Sequence, residues 1–293
     1  MKKEISMPSH MKTINALEAH KREIYGQDIG IAVLDTGIYA HPDFLIRNSC
    51  IKSFSDFVNA KPYPYDDANH GAHICGIIAS KQKNSHGSYY GIAPGCQLIC
   101  AKILDAKGNG KTSTALAAFQ WILHLRDLYN IRIINLSMGM PVHKPEDEFS
   151  PFMEAIGELW DMGFVIVVAA GNNGPGSKSI TAPGIGRKLI TVGSCEDSFS
   201  SHGPTINCIK KPDLCAPGKN IYSCSNQGGY IYKSGTSMAT PMVSAAIALL
   251  LSKEPHLSNK DVKKRLLSSA RNLGLPWQQQ GAGMLDIRNL LQI

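Results

Sequence analysis

The sequence predicts a single α/β domain built on a mostly parallel sheet with helices on both faces. Three observations predict it. Short apolar runs rich in β-branched residues recur at Ile29–Leu34, Gln97–Leu104, Ile131–Leu136, Phe164–Ala169 and Leu189–Gly193. They are mostly apolar rather than alternating, as strands buried on both faces are. Helical patterns fall between them, and strands alternating with helices give a parallel sheet. No Pro/Ser linker, low-complexity tract or internal repeat divides the 293 residues, so one large domain accounts for the chain.

The elements follow in order. Ile14, Leu17 and Ile24 among polar neighbours predict a first helix over about residues 13–24. The run 29–34 ends in Asp35-Thr36-Gly37, and residues 72–80 are helical in pattern. The run 97–104 leads to a turn at Lys107-Gly108-Asn109-Gly110, then a long helix over 112–128. A helix over 151–162 separates the runs at 131 and 164, and helices over 237–251 and 259–267 close the chain. In such sheets ligands bind beyond the carboxyl ends of strands. Asp35, Ser137 and Asn172 fall there, while His70 and Ser237 fall at helix beginnings.

Composition narrows the function. Hydrophobic residues make up 43%, aromatic 7% and charged 18% of the chain, ordinary for a globular enzyme. The formal charge of +7 is dispersed, with short runs such as Lys210-Lys211 and Lys263-Lys264-Arg265, so a solvated basic surface is expected rather than a nucleic-acid partner. No run reaches the roughly 18 apolar residues of a membrane span, and residues 242–251 read as core. The N-terminus lacks the apolar region and cleavage site of a signal peptide, so a cytoplasmic location is expected. None of the eight cysteines forms a Cys-x-x-Cys pair; buried free thiols are expected, and no metal site.

Three short segments carry the chemistry: Ala32-Val33-Leu34-Asp35-Thr36-Gly37, then Asn69-His70-Gly71-Ala72-His73, then Ser234-Gly235-Thr236-Ser237-Met238-Ala239-Thr240-Pro241. A serine hydroxyl needs an imidazole to take its proton, and a carboxylate to hold that imidazole in one tautomer. Alone, Ser237 reads as a helix cap, and Asn172 in Gly171-Asn172-Asn173-Gly174 as a turn residue. Asp-Thr-Gly also marks aspartic peptidases, which pair two such carboxylates, but no second copy is present.

From about Ile14 onward these segments, in this order, resemble the subtilisin-like serine peptidases (subtilases), and within them the AprX-type intracellular bacterial branch. The resemblance implies a three-layer α/β/α fold and an endopeptidase working through an acyl-enzyme. It makes Ser237 the nucleophile, His70 the general base and then acid, and Asp35 the residue that orients His70. Asn172 and the Ser237 backbone N–H would form the oxyanion hole, and His73 would be a structural histidine. Gly108, Asn109 and Gly110 on one side and Ser137, Met138 and Gly139 on the other match the edges that hold an extended peptide substrate. Ala169, Ala170 and Gly171 match the other wall of the main pocket. Met138 suggests a broad or hydrophobic preference; a dedicated leader or maturation peptidase is the alternative. A catalytically silent binding protein is disfavoured because every catalytic position carries the expected residue type.

No organic cofactor is implied. Asp43 matches a calcium ligand of some secreted members, but Asn84-Ser85-His86-Gly87-Ser88-Tyr89-Tyr90 offers few oxygen ligands, and the intracellular branch implies no calcium there. The first eleven residues, which include Pro8, are expected to form an extension that lies across the substrate groove until cut away, the peptidase domain then spanning 12–293.

Overall fold

The computed structural model describes residues 8–46, 48–84, 87–195 and 198–293. Among the described residues nine strands form: β1 (Gly30–Asp35), β2 (Ile51–Asp56), β3 (Gln97–Lys102), β4 (Ile131–Leu136), β5 (Val165–Ala169), β6 (Ile190–Ser194), β7 (Leu214–Ala216), β8 (Ile221–Cys224) and β9 (Tyr230–Lys233). The helices are α1 (Ser9–Thr13), α2 (Ala16–His20), α3 (Pro42–Leu45), α4 (Gly71–Ala79), α5 (Thr112–Leu125), α6 (Pro151–Asp161), α7 (Thr236–Lys253), α8 (Asn259–Ser269), α9 (Trp277–Gln280) and α10 (Ile287–Leu291). The first seven strands make one parallel sheet in the order β2-β3-β1-β4-β5-β6-β7. Helices α4 and α7 pack together, as do α5 and α6, giving the three-layer α/β/α architecture expected from the sequence.

The apolar runs become strands because both their faces are covered: every residue of β1, β5 and β6 is buried. Helix α7 is long and apolar enough by composition to cross a membrane, yet 83% of that stretch is buried inside the fold, where it underlies β4, β5 and β6. Pro241 lies inside α7 rather than at its start. Lacking an N–H, it leaves the Ser237 carbonyl without its i+4 donor.

The helix predicted over 13–24 is instead two short helices. Asn15 sits between them in the left-handed region (φ 57°), where its side-chain amide donates to Asp286 Oδ2 at 2.9 Å. Periodicity cannot report that partner, 271 residues away. The expected boundary at residue 12 falls inside α1, whose His10 and Met11 are buried; residues 1–7 lie outside the described part. The β8–β9 hairpin, absent from the sequence reading, packs on α4 and runs directly into Ser234.

Candidate active site

β1 is a central strand, and its carboxyl end delivers Asp35, 1% exposed. Asp35 Oδ1 accepts from the Thr36 N–H at 2.7 Å and faces His70 Nδ1 at 2.7 Å. His70 caps α4, where the chain must come close to the β1 turn: a Cβ on Gly71 would collide with the Gly37 carbonyl. Burial works against the charged imidazolium, but the field and hydrogen bond of Asp35 outweigh it; Lys233 opposes and Asp66 adds. The net result is a His70 pKa above the ordinary histidine value.

Two groups that sequence reasoning missed hold this pair. Asp66 Oδ1 accepts from Thr36 Oγ1 (2.8 Å) and from the N–H groups of Ala68 and Asn69 (3.1 and 3.0 Å), while Oδ2 accepts from Ala72 N–H at 2.8 Å. It therefore satisfies free donors at the start of α4 and ties them to the residue after Asp35. Lys102, register partner of Asp35 on β3, is fully buried. Its ammonium donates to the Thr36 and Leu104 carbonyls (2.7 and 2.9 Å) and to Asp67 (2.6 Å). The available signals were an Asp four residues before His70 and a lysine ending an apolar strand; neither type identifies a partner by itself.

Ser237 stands in the first turn of α7, where helix N–H groups lack intrahelical acceptors. Gly235 caps the helix at φ 152°, which favours glycine. Ser237 Oγ donates to the Ser137 carbonyl at 2.8 Å, and among the described residues that is its hydrogen bond. The structure thus joins Asp35 to His70 directly, but no hydrogen bond joins Ser237 to His70.

Asn172 follows β5. Its Oδ1 accepts from Thr236 N–H (2.9 Å) and Thr236 Oγ1 (3.1 Å), so Nδ2 must be the outward atom, lying against Gly235. Thr236, named in the sequence only as part of the turn leading to Ser237, fixes that orientation.

Met138, Gly139, Ala169, Gly171, Asn172, Thr236 and Ser237 line a cavity of about 230 Å³. Ala170 is wholly buried, and its carbonyl accepts from Thr181. Gly108 and Gly110 meet Met138 and Gly139 around a second, apolar cavity that Leu104 and Phe152 also line; Asn109 is exposed in the turn, its N–H bound to Asp105. A larger cavity of about 470 Å³, lined by Tyr25, Lys81 and Tyr89, contains none of these residues. His73 points away from Asp35: Nε2 lies 3.0 and 3.1 Å from the Ile221 and Ile231 carbonyls, and burial pushes its pKa down to about 3.

The surroundings of Asp43 do not fit calcium. That ion wants six to eight oxygens, whereas Asp43 is enclosed by the His41 nitrogen, the Cys224 sulfur and the hydroxyls of Ser80 and Tyr230. Ser85 and His86, in the segment considered for calcium, lie outside the described residues.

A parallel α/β sheet carrying Asp35, His70 and Ser237 at its carboxyl edge defines the class as a subtilisin-like serine peptidase. The chain belongs to the subtilase family, whose sequence profile matches residues 26–284. It is 37% identical to serine protease AprX of Bacillus subtilis (strain 168) over an alignment covering 90% of this chain and 66% of AprX, so it spans about two thirds of that relative's length. It is 34% identical to subtilisin Savinase of Lederbergia lenta, covering 92% of this chain and 93% of that one. The crystal structure of a cold-adapted subtilisin-like serine proteinase superposes with a TM-score of 0.73 at 28% identity, covering 89% of each chain.

Proposed function

We propose that this chain is a serine endopeptidase that cleaves peptide bonds through an acyl-enzyme on Ser237. The observation that carries the proposal is the 2.7 Å contact between Asp35 and His70 Nδ1, which fixes the imidazole as the tautomer with its basic lone pair on Nε2. Rotation of the Ser237 side chain away from the Ser137 carbonyl brings its hydroxyl to that lone pair; catalytic hydrogen bonds of this kind tighten when substrate binds. His70 takes the proton as Oγ attacks the scissile carbonyl. The oxyanion then meets the Asn172 amide and the Ser237 N–H, both present before the charge develops. His70 protonates the leaving amine, then activates the water that hydrolyses the ester. The steps use protein groups and water only.

The substrate lies extended between residues 108–110 and 137–139 and pairs through its backbone, which tolerates varied sequence. The apolar cavity by Met138 and Phe152 supports a preference for hydrophobic side chains.

A fluorophosphonate probe tests the reading by intact mass. One adduct on the parent chain and none on Ser237→Ala is expected. Labelling that persists in Ser237→Ala, or a folded parent that takes no label, would overturn it.

A further inference from the structure

Beneath the β8–β9 hairpin, apart from the Asp35–His70–Ser237 site, His41 Nδ1, an Asp43 carboxylate oxygen and Cys224 Sγ lie within 4.8 Å of one another. All three side chains are buried. The Gly229 carbonyl accepts only, so His41 Nε2, 3.0 Å away, turns an N–H to it and leaves Nδ1 facing Asp43. Nδ1 lies 3.1 Å from Asp43 Oδ1 and 3.2 Å from the Asp43 backbone nitrogen. Cys224 Sγ completes the triangle, 3.5 Å from Asp43 Oδ2.

We propose that His41, Asp43 and Cys224 bind one zinc-class divalent ion. The donor set is nitrogen, oxygen and sulfur, which suits zinc and excludes hard ions such as calcium and magnesium. The outer groups are in place. Gly229 fixes the histidine tautomer, and the hydroxyls of Ser80 and Tyr230 donate to the carboxylate, as partners of metal ligands do. On binding, the Cys224 thiol loses its proton to solvent and sulfur bonds the ion as thiolate, with no change of oxidation state. The tip of the hairpin, Gln227–Gly228, is exposed. Asp43 and Cys224 are 181 residues apart, so no spacing rule in the sequence reveals the site. The ion would tie the start of α3 to the hairpin that leads into Ser234.

The test uses the full chain as Ser237→Ala, which prevents self-digestion, so the outcome does not depend on proteolysis. The chain is stripped with chelator and dialysed against zinc or cobalt(II). One bound equivalent is expected, with a thiolate-to-cobalt charge-transfer band and affinity that rises with pH. The melting temperature should rise by about 5 °C when zinc is at a hundred times its Kd. Cys224→Ser and His41→Asn, checked for folding by circular dichroism, should each lose at least about tenfold in affinity, while Cys208→Ser at an exposed cysteine should keep it. Absence of a bound equivalent, or binding that survives both ligand variants, overturns the proposal. If the variants do not fold, the parent decides: cobalt without a thiolate band overturns it.

Discussion

Replacing Asp66 with Asn would separate two consequences of one carboxylate. Asp66 accepts four hydrogen bonds, three on Oδ1 and one on Oδ2. An amide offers a single acceptor oxygen. If that oxygen keeps Thr36, Ala68 and Asn69, the new NH2 group faces the Ala72 N–H and leaves it unsatisfied, at about 1–3 kcal/mol. The three retained bonds also pass from a charged to a neutral acceptor, which weakens each. The sum is about 2–4 kcal/mol of stability, a fall of roughly 3–7 °C in melting temperature. The second consequence concerns His70, whose pKa the Asp66 charge raises. Removing that charge lowers it, so the imidazole stays a free base to lower pH. The acid limb of kcat/KM for a chromogenic peptide should therefore move to lower pH, measured well below the variant's melting point. A limb that stays put or moves up would refute the electrostatic argument, and an unchanged melting temperature would refute the hydrogen-bond argument.

Other consequences can be measured directly. Asn172→Ala should lower kcat by about 10²–10³-fold with little change in KM, because its amide meets charge that exists only in the transition state; steady-state kinetics on one peptide checks this. Acid should destabilise the fold through two buried histidines. Burial pushes His10 down to about 4 and His73 down to about 3, below the 6.5 of the unfolded chain. Their neutral forms are favoured in the fold, so stability is complete above pH 6.5 and falls as pH drops toward those values. Each contributes about 1.4 kcal/mol per pH unit, while His70, raised instead, opposes part of the loss. Urea unfolding at neutral pH and near pH 5 should differ by about 2–4 kcal/mol.

Local patterns in the chain determined the parallel α/β class and the strands β1, β3, β4, β5 and β6, but not the edge strands β2 and β7. β4 spans Ile131–Leu136 as its β-branched run predicts, and α7 lies within two residues of the expected bounds at each end. Those signals are legible because burial on both faces demands continuous apolar residues, and glycines such as Gly37 and Gly71 mark where backbones must touch. Asp35 ends β1, and Ser137 and Asn172 follow β4 and β5, at the carboxyl edge where parallel sheets hold their sites. The contacts of those residues were left to the tertiary structure. It ties Ser237 Oγ to the Ser137 carbonyl, orients Asn172 through Thr236 and pins the Asp35 turn with Asp66 and Lys102. It also breaks the first helix at Asn15 and gathers His41, Asp43 and Cys224 under a hairpin the sequence did not announce. A repeating pattern is written many times along a segment, whereas a hydrogen bond between residues a hundred or more positions apart is written once at each end, and only folding brings the two ends together.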